Sequence, residues 1–345
     1  KNEFNHELFK KMFSLGLMGL ITPQEYGGSG FRVLMLCLVM EEIAKFCGST
    51  AVGIGAHNLC VHQIIKNGNE HQKKKYLPKL STASIGAFAL TEPEAGSDAA
   101  SIKTYAYRKG DKYYLNGQKC FISNGGVADI YVVFVKTDRK ERHKGISIFI
   151  VEKGFKGVKV GKKEDKMGLR GSDTSELIFD ECEVPLENLV GEENSGWKLL
   201  MSGLDLGRIV TAAYSIGIAE GAYNEAITYS KTRKQFGNNI CNFQAVQLIL
   251  SDMATSITSS RILIYEAAKL LDNNMPSRLL ASMAKLTSSD TAMKVTTDAV
   301  QIHGGNGFMK DYKVERFMRD AKVTQILEGT NQIQRLIIAK EILKD

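Results

Sequence analysis

The sequence predicts an α+β multidomain protein in which a helical part, a β part and a second helical part follow one another. Three observations carry this. Apolar residues recur near helical spacing up to about Leu80, short β-branched and aromatic runs gather between Ile85 and Val190, and long amphipathic runs return after Trp197. The boundaries are expected at 1–84, 85–192 and 193–345. At 345 residues the chain has room for two or three domains, and 43% hydrophobic with 24% charged residues is ordinary for a globular protein.

In the first part, Leu8, Phe9, Met12, Phe13 and Leu17 keep the spacing of one helix face. A glycine-rich break, Tyr26-Gly-Gly-Ser-Gly-Phe31, separates them from a second helical run, Val33 to Phe46, with Glu41 and Glu42 on its polar side. Gly53-Ile-Gly55 lacks a third glycine and a βαβ context, so it reads as a helix-packing site. In the middle part, Tyr113–Leu115, Cys120–Ile122, Ile130–Val135, Ile146–Ile150 and Leu177–Phe179 read as strands. Lys109-Gly-Asp111, Asn116-Gly117, Gly154, Gly168 and Gly171 are the turn signals between them, and Asn116-Gly117 is expected to make a hairpin. Short strands without long helices point to an antiparallel sandwich or barrel. The last part holds helices over Leu199–Arg233 and Phe243–Leu271, and a third run from Asp290 that stops at Gly304-Gly305.

Composition excludes several classes. Lys and Arg total 45 against 38 Asp and Glu, giving +7, but the lysines are scattered, which argues against a nucleic-acid stripe. The six cysteines stand far apart and the six histidines form no HxxxH, so neither a disulfide framework nor a metal site is expected, and a reducing compartment fits. No apolar run is long enough to span a membrane. The chain opens at Lys1 without a signal-like segment, which leaves open a targeting segment already removed. No GxGxxG or GKS/GKT sequence supports a nicotinamide Rossmann site or a P-loop.

Five constellations offer chemistry. In Gln325–Gln334, Glu328 precedes Gly329 and Thr330 between an apolar run and a helical tail. A carboxylate on such a turn gains basicity from apolar neighbours and can serve as a general base, although Glu-Gly-Thr is also a common helix entry. Leu90-Thr-Glu-Pro-Glu-Ala-Gly-Ser-Asp98 places the hydroxyls of Thr91 and Ser97 around a turn whose amides suit a carbonyl, phosphate or ring edge, or else forms a capped domain-entry loop. Phe121-Ile-Ser-Asn124 puts an aromatic and a hydroxyl at a strand end. Asp205-Leu-Gly-Arg208 is expected to open a long helix, with Asp205 as its N-cap and Arg208 as a surface charge, or else with Arg208 binding a nucleotide phosphate or ring. Arg233-Lys-Gln-Phe-Gly237, with Gln244, and Gln301-Ile-His-Gly-Gly-Asn-Gly-Phe308 complete the set, the glycines of the latter allowing amides to face an anion.

Taken in order, these motifs resemble the acyl-CoA dehydrogenase family over essentially the whole chain, with part of the first helix missing. The most specific patterns are Leu90-Thr91-Glu92-x-x-Ala95-Gly96-Ser97-Asp98 and Gln301-x-x-Gly304-Gly305-x-Gly307-Phe308-x-x-Asp311 with Arg316 and Asp320. Within the family the chain is most similar to the short-chain, butyryl-CoA type. The resemblance implies an all-α N-terminal domain, a β middle domain, a C-terminal four-helix bundle, bound FAD and a homotetramer built as a dimer of dimers. It implies that Phe88, Leu90, Thr91, Gly96, Ser97, Phe121 and Ser123 contact the flavin, with Thr330 and Gln332 near its pyrophosphate or adenosine. Arg233, Gln235, Phe236, Gln244, Gln301, Gly304 and Gly305 would reach the FAD of a neighbouring subunit, and Ser97, Asp205, Arg208 and Gly329 the acyl-CoA. The implied reaction is α,β-dehydrogenation to a trans-2-enoyl-CoA, Glu328 taking the Cα proton as hydride leaves Cβ for flavin N5, with electrons passed to electron transfer flavoprotein. Gly207 stands where a branched- and long-chain subset carries its glutamate, which leaves the base at Glu328, and bulky Tyr214 on the same helix implies a short acyl pocket. A mitochondrial matrix or bacterial cytoplasm is implied, without stable membrane or nucleic-acid association. The alternatives are a flavin oxidase or monooxygenase on the same fold, and a non-catalytic assembly protein derived from it.

Overall fold

The structure is a computed structural model and describes residues 3–344. Four helices open the chain: α1 His6–Ser14, α2 Val33–Ala44, α3 Gly48–Asn67 and α4 Glu70–Thr82. Strands follow as β1 Gly86–Ala89, β2 Tyr105–Lys109, β3 Lys112–Ser123, β4 Ile130–Lys136, β5 Ile146–Glu152, β6 Val158–Lys163, β7 Thr174–Pro185 and β8 Leu189–Val190. The remainder is α5 Gly196–Thr232, a hairpin of β9 Lys234–Gln235 and β10 Asn238–Asn239, then α6 Gln244–Asp272, α7 Arg278–His303, α8 Val314–Lys322 and α9 Asn331–Ile342. The residues form two compact units, one from Lys1–Arg32, Gly53–Asp165 and Arg170–Leu204, the other from Val33–Val52, Lys166–Leu169 and Asp205–Asp345. No described helix is long and apolar enough to cross a membrane.

In the first unit the strands run in the order β6-β7-β3-β2-β4-β5-β8. Most pairs are antiparallel, but β1 lies parallel to β4 with Gly86 opposite Ile130, and β2 meets β4 in parallel at Tyr105 and Lys136. Alternate residues Ile130, Val132 and Phe134 of β4 and Ile146, Ile148 and Ile150 of β5 join one core with Cys60, Val61 and Ile64 of α3 and Tyr76, Leu77 and Leu80 of α4. This is the two-residue period of a strand meeting the faces of two helices. Helix α4 starts in a capping box, Gln72 N–H donating to Asn69 Oδ1 (2.9 Å) and Asn69 N–H to Gln72 Oε1 (3.1 Å). Gly53 is a packing glycine, since a Cβ there would stand 2.8 Å from Phe9 Cζ of α1. His57 is buried between the Met18 carbonyl (3.1 Å) and the Gly86 N–H (3.0 Å), and burial lowers its pKa to about 4, so it is neutral.

Asn116-Gly117 is not the hairpin its dipeptide suggests. The β2–β3 turn falls at Gly110-Asp111, with Lys109 opposite Lys112 and Gly110 at φ 64°. Asn116 and Gly117 lie inside β3, where the register against β7 shifts between Leu115 and Gly117. The Asn116 side chain accepts from Glu181 N–H (2.9 Å) and donates to Glu181 Oε1 (2.7 Å), stitching the irregularity to β7. Burial of Leu115, Cys120 and Ile122 holds the strand straight through a local turn preference.

In the second unit, Asp272 at the end of α6 caps α2, accepting from the N–H of Val33 (2.7 Å) and Leu34 (3.1 Å). Arg261 of α6 donates from Nε to Glu41 of α2 (2.7 Å) and from its terminal nitrogen to Glu220 of α5 (2.6 Å), while Tyr265 also donates to Glu41 (3.1 Å). One charged fork thereby ties three helices. Helix α7 packs against α6, α8 and α9 and buries the small residues Ala281, Ala284, Ser288, Ala292 and Ala299. The cysteines are all free; Cys37, Cys60, Cys120 and Cys182 are buried, Cys47 and Cys241 partly exposed. Burial pushes the Cys60 and Cys182 thiols up to about 12.

Gly117 sits at φ 138°, and an added Cβ would meet Thr104 Oγ1 at 2.6 Å. Gly117→Ala therefore combines backbone strain with a clash and is expected to cost about 2 kcal/mol or more, read as a lower urea midpoint. An unchanged midpoint would show that the irregularity is free to relax.

Candidate active site

Glu328 lies in a polar cluster of the second unit. Helix α8 ends at Lys322, a single 3-10 turn covers Val323–Gln325, and α9 begins at Asn331. In the gap Glu328 takes φ 53° and Gly329 φ 90°, two consecutive left-handed residues. Left-handed backbone is costly for a residue with a Cβ, by about 1–2 kcal/mol, so the surroundings must hold Glu328 there. They do so through the carbonyls. Gln334 Nε2 donates to the carbonyls of Glu328 (3.1 Å) and Gly329 (3.0 Å), and Lys285 Nζ donates to that of Gly329 (2.8 Å). A side chain at 329 would push a Cβ to 2.6 Å from Gln334 Nε2, so the turn needs glycine for space as well as conformation.

The electrostatics set Glu328 apart. Burial raises its pKa, and the charges of Arg208 and Lys285 oppose that shift without cancelling it. Among the described residues, its carboxylate makes no hydrogen bond or ion pair and its N–H donates no backbone bond. A base with raised affinity for a proton thus stands beside an unclaimed donor. Arg208 is 6% exposed; its NH1 donates to Asp205 Oδ1 (2.6 Å), Asp205 Oδ2 accepts from Ser277 Oγ (2.9 Å), and the Arg208 Nε is buried without a partner among the described residues. Tyr214 is buried, its hydroxyl 2.9 Å from Thr211 Oγ1 and close enough to feel the Glu328 charge.

Asp205 is not the N-cap expected of it: α5 opens at Gly196, and Asp205 lies inside that helix as the partner of Arg208. Thr330 is the N-cap of α9, accepting from Ile333 N–H (3.3 Å), while Gln332 is exposed on its first turn. Arg233, Gln235 and Phe236 lie on the exposed β9–β10 hairpin, Phe236 being 94% exposed at φ 50°. Gln244 begins α6, and Gln301, Gly304 and Gly305 stand exposed where α7 stops, Gly304 at φ 60°.

The first unit brings the other two motifs together. Phe88 and Leu90 lead from β1 into Thr91, whose carbonyl accepts from Cys120 N–H (2.9 Å), so Thr91 lies beside Phe121 and Ser123 of β3. Lys119 fixes this junction. It is fully buried and donates to the Leu90 carbonyl (3.0 Å) and Glu92 Oε1 (2.7 Å), and Glu92 also accepts from Thr104 N–H (3.0 Å). Burial alone would raise the Glu92 carboxyl, but the Lys119 charge and the hydrogen bonds from Lys103 and Thr104 hold it below the ordinary range, so the pair stays ionised. The result is a half-buried hydroxyl set beside Phe121, which is 63% exposed at φ 58°. Gly96 and Ser97 are exposed, and a Cβ at Gly96 would meet nothing within 4 Å.

Residues 1–84, 87–182 and 194–343 match, in that order, the N-terminal, middle and C-terminal domains of acyl-CoA dehydrogenase. The chain belongs to the acyl-CoA dehydrogenase family. It is 49% identical over 343 residues to the short-chain-specific acyl-CoA dehydrogenase of Clostridium acetobutylicum, covering 99% of this chain and 90% of that protein. Among solved structures, butyryl-CoA dehydrogenase from Megasphaera elsdenii matches with a TM-score of 0.98 and 46% identity over 99% of this chain and 91% of that one. A chain in a structure of the electron transferring flavoprotein of Acidaminococcus fermentans matches with a TM-score of 0.99 and 50% identity over 100% of this chain and 91% of that one. The helical N-terminal and C-terminal regions around a β middle domain are those of the family. The stretch Gln325–Gln334 pointed to Glu328 and contained Asn331 and Gln334 without giving them a role, and no motif pointed to Lys285, which with them holds the turn. The only signal for Lys285 was a lysine among small residues, Ala281-Ser-Met-Ala-Lys285.

Because the folded state raises the Glu328 pKa, folding favours its protonated form. That contribution is complete below the ordinary carboxylate pKa of 4.5 and is lost as pH rises through the folded value. Glu328→Gln is therefore expected to unfold at a higher temperature than wild type at neutral pH, with the gap closing on acidification. Thermal melts across pH decide it, and a less stable variant at neutral pH would contradict net desolvation of the carboxylate.

Proposed function

We propose that the chain catalyses the α,β-dehydrogenation of a short-chain acyl-CoA to a trans-2-enoyl-CoA, with Glu328 removing the Cα proton. The observation that carries this is a desolvated carboxylate in a left-handed turn, with neither its oxygens nor its own N–H hydrogen-bonded among the described residues. A thioester acidifies its α-carbon only modestly, so a solvated carboxylate is too weak a base; desolvation supplies the missing basicity. The Glu328 N–H is suited to donate to the thioester oxygen, where negative charge grows as the proton leaves. Gln334 and Lys285 keep the turn fixed, so little reorganisation is left for the reactive moment.

The first unit's donor set fits FAD: the hydroxyls of Thr91 and Ser123 for a ring edge, Phe88, Leu90 and Phe121 for its faces, and the open loop at Gly96 and Ser97. When bound, FAD supplies the hydride acceptor for the substrate Cβ. Asp205, Arg208, Ser97 and Gly329 are assigned to the acyl-CoA, the unpartnered Arg208 Nε supporting a ligand there. The exposure of Arg233, Gln235, Phe236, Gln244, Gln301, Gly304 and Gly305 supports their reaching the FAD of a second protomer in a homotetramer, with Thr330 and Gln332 at the chain's own cofactor. Similarity to the Acidaminococcus fermentans chain supports electron transfer flavoprotein as the electron acceptor. The relatives from Clostridium acetobutylicum and Bacillus subtilis support a bacterial cytoplasm.

Glu328→Gln should slow flavin bleaching by butyryl-CoA more than about a thousandfold in stopped flow; near-normal bleaching would remove Glu328 from the role. Tyr214 is buried near the Glu328 charge, which supports a pocket of about four to six carbons. Tyr214→Ala should shift the kcat/KM optimum to longer chains across an acyl-CoA panel, and an unmoved optimum would reject that role.

A further inference from the structure

Lys285 is a buried ammonium that the proton transfer itself does not require. It stands on α7 with 0% exposure, surrounded by the small side chains that let α7 pack closely. Burying a lysine is costly unless its charge is used. Its Nζ donates to the Gly329 carbonyl (2.8 Å) and to Asn331 Oδ1 (2.8 Å), the residues on either side of Thr330. Asn331 Nδ2 donates onward to Asp290 Oδ1 (2.7 Å), and Gln325 Nε2, before the turn, donates to the same oxygen (2.7 Å). Both ends of the segment carrying Glu328 are thus pinned to α7, with Lys285 gripping its middle.

We propose that Lys285 is a positioning residue for Glu328, fixing the left-handed turn through Gly329 and Asn331 and setting a buried positive charge beside the general base. This rests on Glu328 being that base. The charged and titratable groups around the pair are Arg208, Asp205 and Tyr214 from α5, Arg278 and Asp290 from α7, and Arg335 from α9, which meets Asp290 at 3.0 Å. Of these, Arg208 adds positive charge at Glu328 as Lys285 does, and Asp205 is paired with Arg208 at 2.6 Å. Asp290 is drawn to Arg335, Gln325 and Asn331, so Lys285 stands as a second cation for the base beside Arg208. Burial lowers the Lys285 pKa to about 8, opposed by Glu328 and Asp290, so it carries its charge at neutral pH.

The test compares Lys285→Met, Lys285→Arg and Glu328→Gln as flavin-loaded holoenzymes. Lys285→Met removes charge and donor, so flavin reduction by butyryl-CoA should fall about a hundredfold in rate with KM little changed. Its acid limb should move to higher pH, because the carboxylate has lost a stabilising cation, and Lys285→Arg should move the limb back. Independently of turnover, a pH-difference infrared titration should place the carboxyl band that Glu328→Gln abolishes at higher pH in Lys285→Met than in wild type. If Lys285→Met yields no holoenzyme, Lys285→Gln, which keeps a donor without charge, is read in the same way. An unmoved acid limb and an unmoved carboxyl band overturn the proposal, as does failure of both variants to fold, which would make Lys285 structural only. Near-normal bleaching by Glu328→Gln would instead sink the assignment of the base itself, and the role of Lys285 with it.

Discussion

A carboxylate can be a strong base in a protein only if water is kept from it and its backbone is kept from relaxing. At Glu328 burial raises the pKa, and the backbone is held by a pair of left-handed residues whose carbonyls are each claimed by a side chain from elsewhere in the unit. Without those donors the turn could relax to ordinary backbone, and the carboxylate would swing away from its aim. The helices α5, α7 and α9 contribute one member each, Arg208, Lys285 and Gln334, so the bundle acts as a frame for a single side chain.

The sheet unit solves a related problem by a different route. There the segment to be fixed is the loop after β1, and the fixing group is an ion pair sealed inside the protein. Lys119 and Glu92 satisfy carbonyl and N–H groups on both sides of the junction as well as each other. A buried pair of this kind contributes little net stability but makes one geometry far better than its neighbours. In both units a buried lysine holds a backbone carbonyl next to a motif the chemistry depends on.

Much of this was legible in the sequence. The order helix, strand, helix followed from periodicity, and the motifs around Thr91, Phe121 and Glu328 stand out because glycine, hydroxyl and carboxylate chemistry is local. What escaped was set by distant contacts. Asn116-Gly117 has the local preference of a hairpin, yet the burial of Leu115 and Ile122 and the Glu181 contacts carry the strand through it. Asp205 looks like a helix start, but α5 opens at Gly196 and Asp205 pairs with Arg208 inside it. Lys285 and Lys119 could not be distinguished from surface lysines, because the groups they bind lie 44 and 27 residues away.

The burial of the thiols has a practical corollary. With Cys37, Cys60, Cys120 and Cys182 enclosed in the folded chain, maleimide reagents are left with Cys47 and Cys241 among the described residues. Cys241 falls within the Arg233–Gln244 stretch assigned to a second protomer's cofactor, whereas Cys47 lies outside that stretch, the carboxylate turn and the β1 junction, so a fluorophore or spin label at Cys47 would report on the helical unit away from the residues given chemical roles.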